Sequence, residues 1–121
     1  NWGECEMKKI ALFAFNGDSM CFVHVLLNAL DMRSKGYEVR VVIEGAATKL
    51  IPELSAPGSP LSQLYQKAKE QGLLEGACKA CSSKMGTLEA AKGEGLPLLD
   101  DMSGHPGIAR YLEAGYDVLI F

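Results

Sequence analysis

The sequence predicts an α/β fold, a three-layer α/β/α sandwich around a mainly parallel five-stranded sheet, on three observations. First, short and nearly unbroken apolar runs, such as Ile10-Ala11-Leu12-Phe13-Ala14-Phe15, look like strands buried on both faces. Second, segments of helical period separate these runs, and a strand, helix, strand order of this length implies a right-handed parallel crossover. Third, Gly or Pro stands at most of the junctions.

The elements follow in order. Lys9 opens the first strand, which ends at Phe15, and Asn16-Gly17-Asp18-Ser19 makes a turn in which Asp18 or Ser19 caps a helix from Met20 to about Lys35. Gly36 stops that helix. His24, Asn28, Asp31 and Lys35 form its polar stripe, and Phe22, Val23, Leu26, Leu27 and Leu30 face the core. Val39, Val41, Val42 and Ile43 mark a second strand over 38–44. After Gly45, a short helical or irregular piece broken by Pro52 leads to a loop over 55–58. Ser59 and Pro60 start a helix with Leu61, Leu64, Tyr65 and Ala68 on its apolar side and Gly72 as its C-terminal cap. A third strand over 73–77 delivers Cys78. A short helix then runs from Thr87 to Lys92, with Leu88 and Ala91 inward. Pro97 demotes the fourth strand, 96–99, toward an edge. After a loop over 100–105, Pro106 opens a last helix through Ile108, Ala109 and Leu112 to Gly115, and 117–121 is the fifth strand.

The bulk composition narrows the function classes. With 121 residues, 48% of them hydrophobic and 22% charged, the chain is expected to fold as a single domain, with 1–7 as a flexible or added tail. A net charge of −3, the absence of a basic run and only nine aromatic residues argue against nucleic acid. No run is apolar enough to span a membrane and no signal peptide is apparent, so the cytoplasm is the expected compartment. Both glycine-rich phosphate-binding fingerprints are missing from the sequence. Four cysteines in such a chain read as thiols or ligands rather than a disulfide framework.

The chemistry is expected at Cys78-Lys79-Ala80-Cys81, a Cys-x-x-Cys pair where a strand gives way to a helix start. Backbone N–H groups there, with Lys79 and Lys84, are expected to favour a nucleophilic thiolate at Cys78, and Cys81 is its possible resolving partner. In a parallel sheet the loops at the C-terminal strand ends lie together. That edge gathers Asn16 to Cys21, Gly45 to Thr48, Cys78 to Met85 and Asp100 to His105, and leaves Cys5 at the opposite edge. A rival constellation is a zinc site drawn from Cys21, Cys78 and Cys81 with His24 or His105. Packing cysteines, a structural disulfide and a redox-sensing module also remain open. His105 reads as a solvated loop residue or a base near the thiols, and His24 as surface polarity. Asp18 and Ser19 read as caps first and ligand contacts second, and Asp100 with Asp101 as a solvated turn or a cation pair.

The opening Lys-Ile-Ala-Leu-Phe-Ala-Phe, the Val-Arg-Val-Val-Ile-Glu-Gly strand, the Gly-Ala-Cys-Lys-Ala-Cys turn and the ending Gly-Tyr-Asp-Val-Leu-Ile-Phe resemble the DsrE/DsrF-like family of the sulfur-relay kind. The resemblance runs from about Lys9 to Phe121. It implies a compact α/β/α domain, homo-oligomers (trimers or hexamers), sulfur donor and acceptor proteins as partners, and a persulfide carried on the cysteine of this turn, here Cys78. Such sulfur chemistry is expected to need no organic cofactor. Cys81 departs from the one-cysteine turn of sulfur-transferring members and permits an internal disulfide that would discharge the persulfide as sulfide. The expected function is a small sulfur carrier. The alternatives are a zinc or small-ligand binding subunit and a redox module using the same cysteines.

Overall fold

The computed structural model describes residues 7–121. Five strands, β1 (Lys9–Ala14), β2 (Glu38–Ile43), β3 (Leu74–Cys78), β4 (Leu98–Leu99) and β5 (Asp117–Ile120), pair in the order β4-β3-β2-β1-β5. Every pairing is parallel. The α/β expectation therefore holds, and Pro97 does precede a two-residue edge strand.

α1 (Ser19–Ser34) begins where Asp18 Oδ1 accepts the N–H groups of Met20 at 2.8 Å and Cys21 at 3.4 Å, satisfying donors that lack an intrahelical partner. A 3-10 segment (Gly45–Glu53), α2 (Ser62–Glu70), α3 (Lys79–Lys84), α4 (Leu88–Gly93) and α5 (Ala109–Glu113) complete the chain. α2 starts later than Ser59 and Pro60, because Ser59 Oγ first accepts the Leu61 N–H in a separate turn.

Alternation along each strand divides the core in two. Ile10, Leu12, Ala14, Val41 and Ile43 meet α1, the 3-10 segment, α2 and α4 on one face. Ala11, Phe13 and Val42 meet Tyr111 of α5 and Tyr116 on the other. On two helices only the fold settles which apolar residues turn inward. Leu27 is 44% exposed and Val25 takes the core position on α1. Leu112 is 56% exposed on α5 and Tyr111 is buried, its ring packed edge-on against Phe13 at 5.4 Å. In both helices the apolar residues outnumber the buried positions, so periodicity alone does not choose the face.

β3 passes β4 closely at Gly76, where a Cβ would run into the Pro97 carbonyl oxygen. The neighbouring Ala77 N–H donates to that same carbonyl at 2.9 Å.

Candidate functional site

Cys78 ends β3 and serves as the N-cap of α3: the Cys81 N–H, one turn on, donates to its Sγ at 3.3 Å. Three-residue spacing at a helix start thus brings both sulfurs to one place. The third group arrives from the loop after β4. Met102 and His105 form an antiparallel bridge, with N···O distances of 2.7 and 2.9 Å, across a two-residue turn whose centre, Ser103 (φ 51°) and Gly104 (φ 92°), is left-handed at both positions. Ser103 is a non-glycine residue held in this costly region, as happens where surrounding contacts over-determine a functional loop. Those contacts are visible: the Ala80 N–H donates to the Gly104 carbonyl at 2.9 Å, Asp101 accepts the Gly107 N–H, and Pro106 restricts His105 to extended backbone. The imidazole Nδ1 consequently lies 3.1 Å from Cys78 Sγ and 3.5 Å from Cys81 Sγ.

The two thiols are unequal. Cys78 has 0% exposure, and burial pushes its thiol up to about 12; the Cys81 sulfur and the Glu44 charge act in the same direction, and the Cys81 N–H acts against them. Cys81 is half-buried. The charges acting on Cys78 are thus Cys81 and Glu44, whereas the sequence reading assigns that influence to the lysines. Lys79 is exposed and pairs with Asp100 at 3.7 Å, and Lys84 lies exposed at the far end of α3. The Cys81 N–H at the α3 start does favour the thiolate, but burial outweighs it, so the acidic thiol expected at Cys78 from sequence is not what the structure builds.

Other candidates fall as follows. Asp18 is occupied as the α1 cap, and Ser19 is the first residue of that helix. Cys21, half-buried on α1, does not join the group of Cys78, Cys81 and His105, whose ligand atoms all lie within 4.8 Å of one another. His24 is exposed on α1. Asp100 and Asp101 part company, one to Lys79 and the other to Gly107. Cys5 lies outside the described residues.

The comparisons with known proteins bear on kinship. The chain is 33% identical over 97 residues to the uncharacterized protein MJ0733 of Methanocaldococcus jannaschii, a match spanning 80% of this chain and 77% of that one. The chain belongs to the family of that archaeal protein. An uncharacterized protein of Archaeoglobus fulgidus is 44% identical over 59 residues, covering 49% of this chain and 95% of its own. A second protein of that organism is 57% identical over 37 residues, 31% of this chain and 100% of its own. No family model matches. The solved structure of a conserved protein of unknown function, BT1422 from Bacteroides thetaiotaomicron, superposes with a TM-score of 0.70 over 94% of this chain and 95% of that one, at 19% identity. At that identity the likeness establishes a shared fold.

Among the residues of this family member, sequence reasoning missed Glu44 as part of the site. It stands one residue beyond β2, in extended backbone at the start of the 3-10 segment, beside the strand end that carries Cys78. It is 5% exposed, and burial pushes its carboxyl up to about 7. The signal is present in the sequence: a lone acid closes an otherwise apolar strand end, Val41-Val42-Ile43-Glu44, at the edge where ligands bind. Among the described residues, no helix is long and apolar enough to cross a membrane.

Proposed function

We propose that this protein is a small thiol-based sulfur carrier, in which sulfane sulfur enters at Cys81 and Cys78 is the resolving thiol. The observation that carries the reading is His105 Nδ1 within 3.1 and 3.5 Å of the two sulfurs. Attack on a donor requires exposure, which favours Cys81 over the buried Cys78, the acceptor expected from sequence. His105 takes the Cys81 proton as the sulfur attacks the outer sulfur of a donor R–S–S–H. A Cys81–S–S–H persulfide forms, the donor S–S bond breaks, and RS⁻ recovers the proton from His105 as RSH. Cys78 then attacks the Cys81 sulfur, closing a Cys78–Cys81 disulfide, and the outer sulfur leaves with the Cys78 proton as hydrogen sulfide. An acceptor thiol arriving first takes the sulfur instead.

Kinship with the DsrE/DsrF-like sulfur-relay proteins belongs to this proposal, supported by a parallel sheet that carries a cysteine at its C-terminal edge. So do cytoplasmic residence, where thiols stay reduced, donor and acceptor protein partners, and a homotrimer or homohexamer, for which exposed Leu112, Leu119 and Ile120 offer apolar surface.

Polysulfide treatment of the reduced protein, followed by intact-mass analysis and peptide mapping, tests the chemistry. Cys78→Ser is expected to accumulate one sulfur on Cys81, and the unsubstituted protein to release sulfide and end as the disulfide. Equal uptake by Cys81→Ser, or none by any form, overturns the reading.

A further inference from the structure

We propose that in the reduced protein Cys78, Cys81 and His105 form a three-ligand zinc site with an open fourth position, and that closing the Cys78–Cys81 disulfide dismantles it. Two thiolates and an imidazole suit Zn²⁺ and not the hard cations, which take oxygen ligands. The spacing also fits. Zn–S bonds of about 2.3 Å and a Zn–N bond of about 2.0–2.1 Å at tetrahedral angles put sulfur and nitrogen about 3.5 Å apart. Cys81 Sγ stands at 3.5 Å from His105 Nδ1, and Cys78 Sγ at 3.1 Å would move outward by a few tenths of an ångström.

The ligands converge from two chain segments that the backbone already ties together. The Ala80 N–H to Gly104 carbonyl bond joins α3 to the 102–105 turn, so the imidazole is docked whether or not an ion is bound. Cys21 stands outside the group, which leaves three protein ligands among the described residues and one position for water or an exogenous thiol.

Binding releases both thiol protons, and zinc keeps its charge throughout. Release follows from oxidation of the ligands. Disulfane, the simplest polysulfide, takes two electrons from the two zinc-bound thiolates and leaves as two hydrosulfide ions; the Cys78–Cys81 bond forms, the disulfane S–S bond breaks, and zinc retains only His105. Binding stands independently of the sulfur-carrier reading, and release rests on it.

The test titrates zinc, without oxygen, into the reduced and metal-stripped protein against a colorimetric chelator, then adds polysulfide and reads free zinc, with bound sulfur read in parallel on Cys78→Ser. One zinc per chain is expected, held at least tenfold more weakly by Cys81→Ser and by His105→Ala and unchanged in Cys21→Ser, with circular dichroism confirming each fold. Cobalt substituted for zinc should show thiolate-to-metal charge-transfer absorption. Polysulfide should free the zinc as the disulfide forms. Failure to bind zinc overturns the site, while sulfur loading of Cys78→Ser by the same polysulfide reports on the carrier reading separately. Binding that depends on Cys21 overturns this ligand set, and zinc that stays bound to the disulfide form overturns the release.

Discussion

The two faces of the sheet are built to different standards. One is sealed by α1, the 3-10 segment, α2 and α4, and its core includes Leu12, Phe22, Leu26, Ile51, Leu61 and Tyr65, all nearly or wholly inaccessible to solvent. The other has α5 as its helical cover, a core of Ala11, Phe13, Val42, Tyr111 and Tyr116, and half-buried Phe15, Leu99, Ile108 and Val118 at its margin. The residues expected to do chemistry gather at the C-terminal end of this thinner side, where Cys78 follows the strand alternation beside Glu44 and a turn held by local hydrogen bonds roofs them. The lesson is a separation of duties: close packing on one side supplies stability, and the lightly covered side supplies access.

Substitutions should expose that separation. Leu26→Ala, in the sealed core, should cost about 2–5 kcal/mol in urea denaturation and leave the sulfur uptake of the folded fraction unaltered. Loss of uptake at equal folded fraction would show that the faces are coupled. Glu44 tests the thin side through pH. Its carboxyl rises from 4.5 to about 7 on burial, so below 4.5 it is protonated in both the folded and unfolded chain and contributes nothing. Between 4.5 and about 7 the unfolded chain gives up this proton while the folded chain still holds it, which favours unfolding. Stability should therefore fall over that window by up to about 3 kcal/mol, and Glu44→Gln should flatten the slope. A wild-type curve no steeper than that of Glu44→Gln would refute the burial effect.

His105→Ala should slow Cys81 persulfidation about a hundredfold while moving stability by less than about 1 kcal/mol. Stopped-flow sulfide release beside thermal melting separates the two effects. Gly104→Ala asks whether the turn holds the imidazole: at φ 92°, with a Cβ placed 3.3 Å from Ala80 Cβ, it should cost about 1–2 kcal/mol and slow the thiol in the same assay. The smallest effect belongs to Ser82→Ala. Its hydroxyl is buried without a hydrogen-bond partner among the described residues, so its removal should raise stability by up to about 1 kcal/mol.

Much of this arrangement is legible in the sequence, and for physical reasons. Strands buried on both faces have no polar alternation, so the runs at Ile10 and Val39 announce themselves, and a helix that follows each at the right length leaves few topologies. Convergence of C-terminal loops brings His105 into view beside Cys78 and Cys81. What escapes depends on contacts made at a distance. Which side of α5 turns inward is decided by the Tyr111 ring against Phe13, a partner far earlier in the chain. The exclusion of Cys21 is equally a matter of how α1 lies on the sheet. Glu44 is readable as an anomaly in its strand, but only burial turns an anomalous acid into a group that acts on Cys78.

The bare Cα at Gly76 has a consequence for how chains with the same trio can be found. Any side chain there would press on the Pro97 carbonyl and drive β4 away, and β4 leads directly into the turn that holds His105. A missing methyl group two residues before the first thiol therefore meters the distance to an imidazole in another part of the chain. The diagnostic string is accordingly longer than Cys-x-x-Cys. A search for Gly-x-Cys-x-x-Cys, paired with a downstream Gly-His-Pro, would recover chains able to assemble this trio and pass over those in which two cysteines share only a spacing.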